Sequence, residues 1–277
     1  MKIKPAIKWS GSKRSQSEKI VDMFPDEIET YYEPFLGGGS VLYQLMVSNK
    51  KVDNFKVSDI NNDLIDLWKM IQLTPKIVTV GYSDLWNELN KNSDIEKKKK
   101  FYSAIRERFN LEKSPVDFMF IMRTTVNGMP RYNRNGKFNN AFHVTRNGII
   151  PETLNSIVMN WNELLNKNNV IFESKSYEGI VSNDNDLLYL DPPYAGTKGM
   201  YYGTIDYDLL WNWLRIQRGK YLLSFDGKTT SSDMTHAVPE DVYKTHVYLY
   251  SGNSSFRRTI GTSNKEYVSE SLYKSYL

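Results

Sequence analysis

Three consecutive glycines, Gly37 to Gly39, separate the β-prone run YYEPF from an apolar helical pattern through Val41, Leu42, Leu45 and Met46. That order of strand, glycine turn and helix constrains the fold more than any other stretch. It sets backbone N–H groups and a helix N-terminus at the carboxyl edge of a sheet, where nucleoside ligands bind in open α/β folds. The next strand-like run, FKVSDI, contains Asp59, 20 residues after Gly39. An acid at about that separation commonly accepts hydrogen bonds from ribose hydroxyls. EPFLGGGS does not satisfy G-x-G-x-x-G, which argues against a nucleotide-dependent dehydrogenase. Taken alone, the residues fit equally well a plain glycine loop with Asp59 capping the following helix.

Composition narrows the class. With no cysteine among 277 residues, disulfides, thiolate nucleophiles and Cys-ligated zinc are excluded. His143, His236 and His246 are too scattered to suggest a metal cluster. The amino terminus has no apolar signal region and no run reaches the roughly 18 residues of a membrane span, so a cytoplasmic protein with no membrane partner is expected. A net charge of +4 permits a polyanionic partner without requiring one.

From Asn62 the pattern becomes helical, with Leu64, Ile65, Leu67, Trp68 and Ile71 on one face and a second pattern over about 95–109. Residues 123–150 differ again. Asn135-Gly136 between PRYNR and KFNNAF predicts a type I′ hairpin, and Arg123, Arg131, Arg134, Lys137 and Arg146 crowd the segment, which reads as a basic hairpin on display. Strand-like runs then resume in VIFESKSYE, DLLYLDPPY, GKYLLSFDG and EYVSESLYKSYL. The organisation is an α/β domain built from both ends of the chain, residues 1–62 and 168–277, interrupted by a helical and β-hairpin module over 63–167.

The stretch DPPY, Asp191 to Tyr194, follows the apolar run Leu187 to Leu190 directly. Two prolines fix φ and remove two N–H donors, leaving a rigid turn rich in acceptors: the Asp191 carboxylate and the Pro192 carbonyl. An exocyclic amine with two N–H bonds fits between them. Accepting both hydrogens favours a pyramidal nitrogen with its lone pair freed, and the carboxylate stabilises positive charge developing there on alkylation. Tyr194 offers a flat face for a base, a contact of about 1–3 kcal/mol in single-strand binders.

In their order these segments resemble the Dam-type, D12 class of adenine-specific DNA N6-methyltransferases. PAIKWSGSK is similar to the family's amino-terminal cofactor motif, YYEPFLGGGSV to its glycine motif, SDIN to its acidic ribose-side motif, VNGMPRYNRNGKFN to its recognition hairpin and DPPY to its catalytic turn. The resemblance implies a Rossmann-like S-adenosylmethionine-dependent methyltransferase sheet with an inserted target-recognition module. It also implies transfer of a methyl group to N6 of an adenine flipped out of double-stranded DNA, with S-adenosylhomocysteine as product. Asp191, Pro192, Pro193 and Tyr194 are then the catalytic set. Trp9 and Lys13 line the donor site; Glu33, Pro34, Phe35, Gly37, Gly38, Gly39 and Ser40 enclose the methionine part; Asp59 takes the ribose and Ile60 packs on the donor's adenine. Ser176 and Tyr177 are further donor-side contacts, and Asp191 borders the donor as well. Lys8 and Arg131 resemble DNA-reading positions, Arg131 suiting a guanine edge. Asn127, Tyr132 and Asn133 hold phosphates or the gap left by the flipped base, with Arg134 and Lys137 on the same DNA face.

The chain departs from the family at three places. Gly11-Ser12-Lys13 replaces G-G-K, FNNAFH replaces FNVPFG with Asn140, Ala141 and His143, and Val126 stands where an aromatic often precedes the hairpin asparagine. GATC is therefore not assumed as the target. Tyr201 and Tyr202 are expected to close over the target base, and Arg257 and Arg258 to extend the DNA footprint. The alternatives are methylation of RNA or of cytosine N4, and a DNA-binding module without turnover. No metal is expected, since a sulfonium donor is already activated, and the chain is expected to act as a monomer or weak dimer in a bacterial or phage setting.

Overall fold

The computed structural model describes residues 4–91, 93–193, 205–229, 235, 237–253 and 267–277. Tyr194, Tyr201, Tyr202, His236, Arg257 and Arg258 lie outside the described residues. Among the described residues seven strands form one sheet: β1 Glu27–Glu33, β2 Lys51–Asp59, β3 Ile171–Ser174, β4 Leu187–Leu190, β5 Lys220–Thr229, β6 Thr245–Asn253 and β7 Tyr267–Lys274. Their order is β3-β2-β1-β4-β5-β7-β6. β1 to β5 pair in parallel, and β7 runs antiparallel to both β5 and β6. This is a Rossmann-like α/β sheet with an antiparallel strand inserted at one edge. The strand order reverses between β1 and β4, so a crevice opens at their carboxyl ends, where such sheets hold ligands.

β4 explains its own sequence. All four of its residues are buried, because the faces belong to different cores. Leu187 and Tyr189 join the larger core, whereas Leu188 and Leu190 pack with Leu210, Trp211, Trp213 and Leu214 of α8 Tyr207–Arg215. A strand covered on both sides loses the alternation of a half-exposed one.

From the inserted segment, α3 Asn62–Leu73 docks on the sheet and α7 Pro151–Lys167 packs on α3. Trp68 of α3 stacks on Phe172 of β3 at 5.9 Å and lies 4.7 Å from Trp161 of α7. Each indole also serves the backbone, Trp68 donating to the Gly37 carbonyl at 3.1 Å and Trp161 to that of Lys4 at 3.1 Å. The remaining inserted helices are α4 Pro75–Asn90, α5 Ile95–Glu112 and α6 Pro115–Thr124. Arg108 grips the buried Asp117 through two bonds of 2.7 and 2.5 Å, and Phe109, Phe118 and Phe138 join α5, α6 and the hairpin in one aromatic cluster. Among the described residues no helix is long and apolar enough to cross a membrane.

Two expectations are corrected here. The hairpin turn is not type I′, which needs positive φ at both Asn135 and Gly136; of the two, Gly136 alone has it, at 68°. Asn133 closes a longer loop instead: its N–H donates to Lys137 O at 2.8 Å, and its side-chain oxygen accepts from Asn135 N and Lys137 N. Nor is Arg123 displayed. It is 8% exposed at the end of α6, with its guanidinium bonded to the carbonyls of Pro5 and Ala6, and burial lowers its pKa to about 10.

Candidate active site

The glycine turn is shaped by what lies under it. Gly37 and Gly39 have φ of 49° and 64°, a region that disfavours side chains. A Cβ on Gly37 would come 2.8 Å from Trp9 Nε1, and one on Gly39 3.2 Å from the Trp68 ring. The turn therefore sits directly on Trp9 and Trp68. Ser12 Oγ and Ser40 Oγ, 2.6 Å apart, tie the segment before α1 Ser17–Asp22 to the start of α2 Ser40–Met46.

Asp59 ends β2 beside this turn. Its carboxylate accepts from Gly37 N at 3.1 Å and Asn61 N at 3.0 Å, and burial raises its pKa to about 6 against those bonds. The cap of α3 is Asn61, whose side chain accepts from Leu64 N at 3.1 Å. Glu33, at the end of β1, is 3% exposed and accepts from the Tyr31 hydroxyl at 2.8 Å. Burial pushes its pKa up to about 8.

Asp191 immediately follows β4. Its Oδ1 lies 2.7 Å from Lys13 Nζ, which is also 3.4 Å from Glu270 Oε2 on β7. Lys13 is only 6% exposed; burial opposes its charge, but Asp191 and Glu270 outweigh that and raise its pKa. The turn after Asp191 is anchored by Tyr207, whose hydroxyl donates to Pro193 O at 3.2 Å.

Every donor-side residue named from the sequence borders one cavity of about 310 Å³, together with Pro192 and Pro193. Ile60 stands at its wall, 52% exposed. The wall also holds residues that sequence reasoning missed: Asn61, Lys175, Glu178, and Ile205, Asp206 and Leu209 at the start of α8. A signal for the last group was present. Asp206 caps α8, accepting from Asp208 N and Leu209 N, and DYDLLWNW carries the cap-then-apolar pattern.

The hairpin residues divide into two groups. Arg131, Asn133, Arg134 and Lys137 are exposed, as is Asn127, which has φ of 57°. Tyr132 turns inward. Its hydroxyl donates to Asp63 at 2.7 Å and receives a bond from Asn61 at 3.5 Å, which connects the hairpin to the cavity wall. Lys8 is half-buried, its Nζ 3.4 Å from Thr125 O, and burial with Arg146 and Arg123 nearby lowers its pKa. Ser10 N donates to Gly128 O at 3.2 Å, so the amino-terminal segment runs from the hairpin loop to Lys13. Among the described residues no group of His, Cys, Asp or Glu side chains has the geometry to hold a metal.

Comparison with known proteins gives a consistent result. A sequence model described as D12 class N6 adenine-specific DNA methyltransferase matches residues 9–270. The type II methyltransferase M.MjaIII of Methanocaldococcus jannaschii is 31% identical over 206 residues, 70% of this chain and 70% of that protein. M.CviBI of Paramecium bursaria Chlorella virus NC1A is 27% identical, covering 80% and 82%. The DNA adenine methylase of Salmonella typhi is 28% identical, covering 68% of this chain and 64% of that enzyme.

Proposed function

The chain belongs to the D12 class of N6 adenine-specific DNA methyltransferases, and on that premise we propose that it methylates N6 of an adenine rotated out of double-stranded DNA, with S-adenosylmethionine as donor. The observation that carries the reading is the meeting of Asp191, the glycine turn and two further carboxylates, Glu33 and Asp59, at one cavity.

The residues fit such a donor. Glu33 is a buried carboxylate whose ionisation burial suppresses, and a cationic ligand in the cavity would restore its charge. The Gly37–Gly39 backbone offers close approach without side chains, Asp59 suits a ribose, and the exposed side of Ile60 suits a flat base. S-adenosylmethionine supplies, when bound, a sulfonium-activated methyl group and leaves as S-adenosylhomocysteine. Trp9, Lys13, Pro34, Phe35, Ser40, Ser176 and Tyr177 complete the enclosure.

The chain's own part in the chemistry is to hold the target amine. Asp191 and the Pro192 carbonyl accept its two N–H bonds, and the carboxylate stabilises charge developing on the nitrogen. Tyr194 stacks the base, with Pro193 keeping the turn rigid. The segment 63–167 serves target recognition: Arg131, with Lys8 from the amino-terminal segment, reads base edges, and Asn127, Arg134 and Lys137 hold the backbone around them. Asn133 shapes the hairpin's loop and Tyr132 ties the hairpin to Asp63. The enzyme works in the cytoplasm, as a monomer or weak dimer.

Asp191→Ala tests the reading. Methyl transfer is expected to be abolished while donor binding, followed by calorimetry, largely survives. Turnover near that of the parent would contradict the proposed role of the acid.

A further inference from the structure

Glu270 has no part in the chemistry above, yet the fold brings it to the centre of the site. β7 is antiparallel to β5, so its first residues lie beside the carboxyl ends of the parallel strands. The β5–β7 register breaks there: Phe225 faces Ser271 and Lys228 faces Ser269, leaving one extra residue on β5. This bulge contains Gly227, where a Cβ would lie 2.7 Å from Glu270 Cα and closer still to the Ser269 carbonyl. Glycine is required for that approach, and bulges beside active sites re-aim side chains. Here the carboxylate it seats meets Lys13 Nζ at 3.4 Å, and Lys13 meets Asp191 at 2.7 Å. One buried ammonium thus joins an acid just past β4 to one on β7. A lysine ammonium is a point charge on a flexible stem and does not fix a carboxylate by its own geometry. A second anchor does.

We infer that Glu270 is a positioning residue for methyl transfer: it holds Lys13 from the side of β7 so that the ammonium keeps Asp191 oriented toward the target amine. The inference rests on the proposed role of Asp191.

Single-turnover methylation by the full chain tests it, using Glu270→Gln, Lys13→Met, their combination and Asp191→Ala. Glu270→Gln is expected to slow methylation about ten- to a hundredfold, the scale of a small misplacement, while donor affinity changes less than about twofold. In the Lys13→Met background, adding Glu270→Gln should slow the reaction no further. Glu270→Asp keeps the charge with a shorter reach, and should fall between the parent and Glu270→Gln; it also serves if Glu270→Gln folds poorly. Parental rates in both Glu270 variants, or the same fold-loss with and without Lys13, would overturn the inference. If Asp191→Ala is inactive while the Glu270 variants turn over normally, this inference alone fails. An active Asp191→Ala removes the reading beneath it.

Discussion

Glu33 is the residue whose burial has the most direct consequence for pH. Its folded pKa is about 8 against 4.5 for an ordinary glutamate, raised by burial, with the Tyr31 hydroxyl pulling the other way. Between those values the folded protein retains a proton that the unfolded chain has lost. Stability therefore falls as pH rises through the window, and Asp59, raised to about 6, adds the same sign over its lower part. Glu33→Gln should flatten this decline, so that its melting temperature drops less between pH 5 and pH 8 than the parent's. A cationic donor favours the ionised form, so donor affinity in the parent should rise with pH toward 8. An unchanged melting slope in Glu33→Gln would show that Glu33 does not titrate in this window. At this scale the sequence reveals residues whose chemistry is local: Asp191 before two prolines, and glycines in a turn. It hides residues whose meaning comes from distant partners. Lys13 is legible as a site residue, but its tie to Glu270 crosses almost the whole chain, and the burial of Arg123 depends on Pro5 and Ala6.

Among the elements, the hairpin is held by a residue that the family pattern marked as a departure. Asn140 is buried, with Nδ2 donating to Val126 O at 3.0 Å and Met129 O at 3.1 Å, while its own carbonyl receives Tyr102 at 3.0 Å and Arg106 at 3.3 Å. It fastens the loop 126–129 to the hairpin and α5. Asn140→Ala removes one bond from each of those carbonyls, which keep only the Met129 and Arg131 N–H groups, and should cost about 1–3 kcal/mol in denaturant unfolding, with weaker DNA binding but unchanged donor affinity. Arg131 and the pair Arg134 and Lys137 should separate cleanly. Arg131→Ala should relax the methylated sequence, read by sequencing modified sites. Arg134→Ala and Lys137→Ala should each weaken binding to all sequences and reduce the salt slope by about 1. An unchanged methylation pattern in Arg131→Ala would remove the hairpin from sequence reading. The Asn-Gly dipeptide located this hairpin but not its turn, because the Asn133 side chain closes a longer loop than the dipeptide alone suggests. β6 was not read from THVYLYSGN, whose pairing is set by β7 rather than by a local signal.

For the whole molecule, the sequence conveyed an α/β sheet made from both ends of the chain, since the strand-like runs at β1 to β5 and β7 lie on either side of the helical and hairpin stretch. It did not convey that α3 lies against that sheet, that α7 packs on α3, or that the two support the glycine turn through Trp68 and Trp161. Two tryptophans on helical faces look like any core residue until the turn they support is known. The amino-terminal segment likewise links the hairpin, the glycine turn and the turn after β4 through contacts at Gly128, Ser40 and Asp191. The most direct test of the account is to incubate the purified protein with methyl-labelled S-adenosylmethionine and unmodified double-stranded DNA, then hydrolyse the DNA and identify the labelled nucleoside. Label in N6-methyladenine is the predicted result. Label in N4-methylcytosine, or none in DNA while the donor still binds, would contradict it.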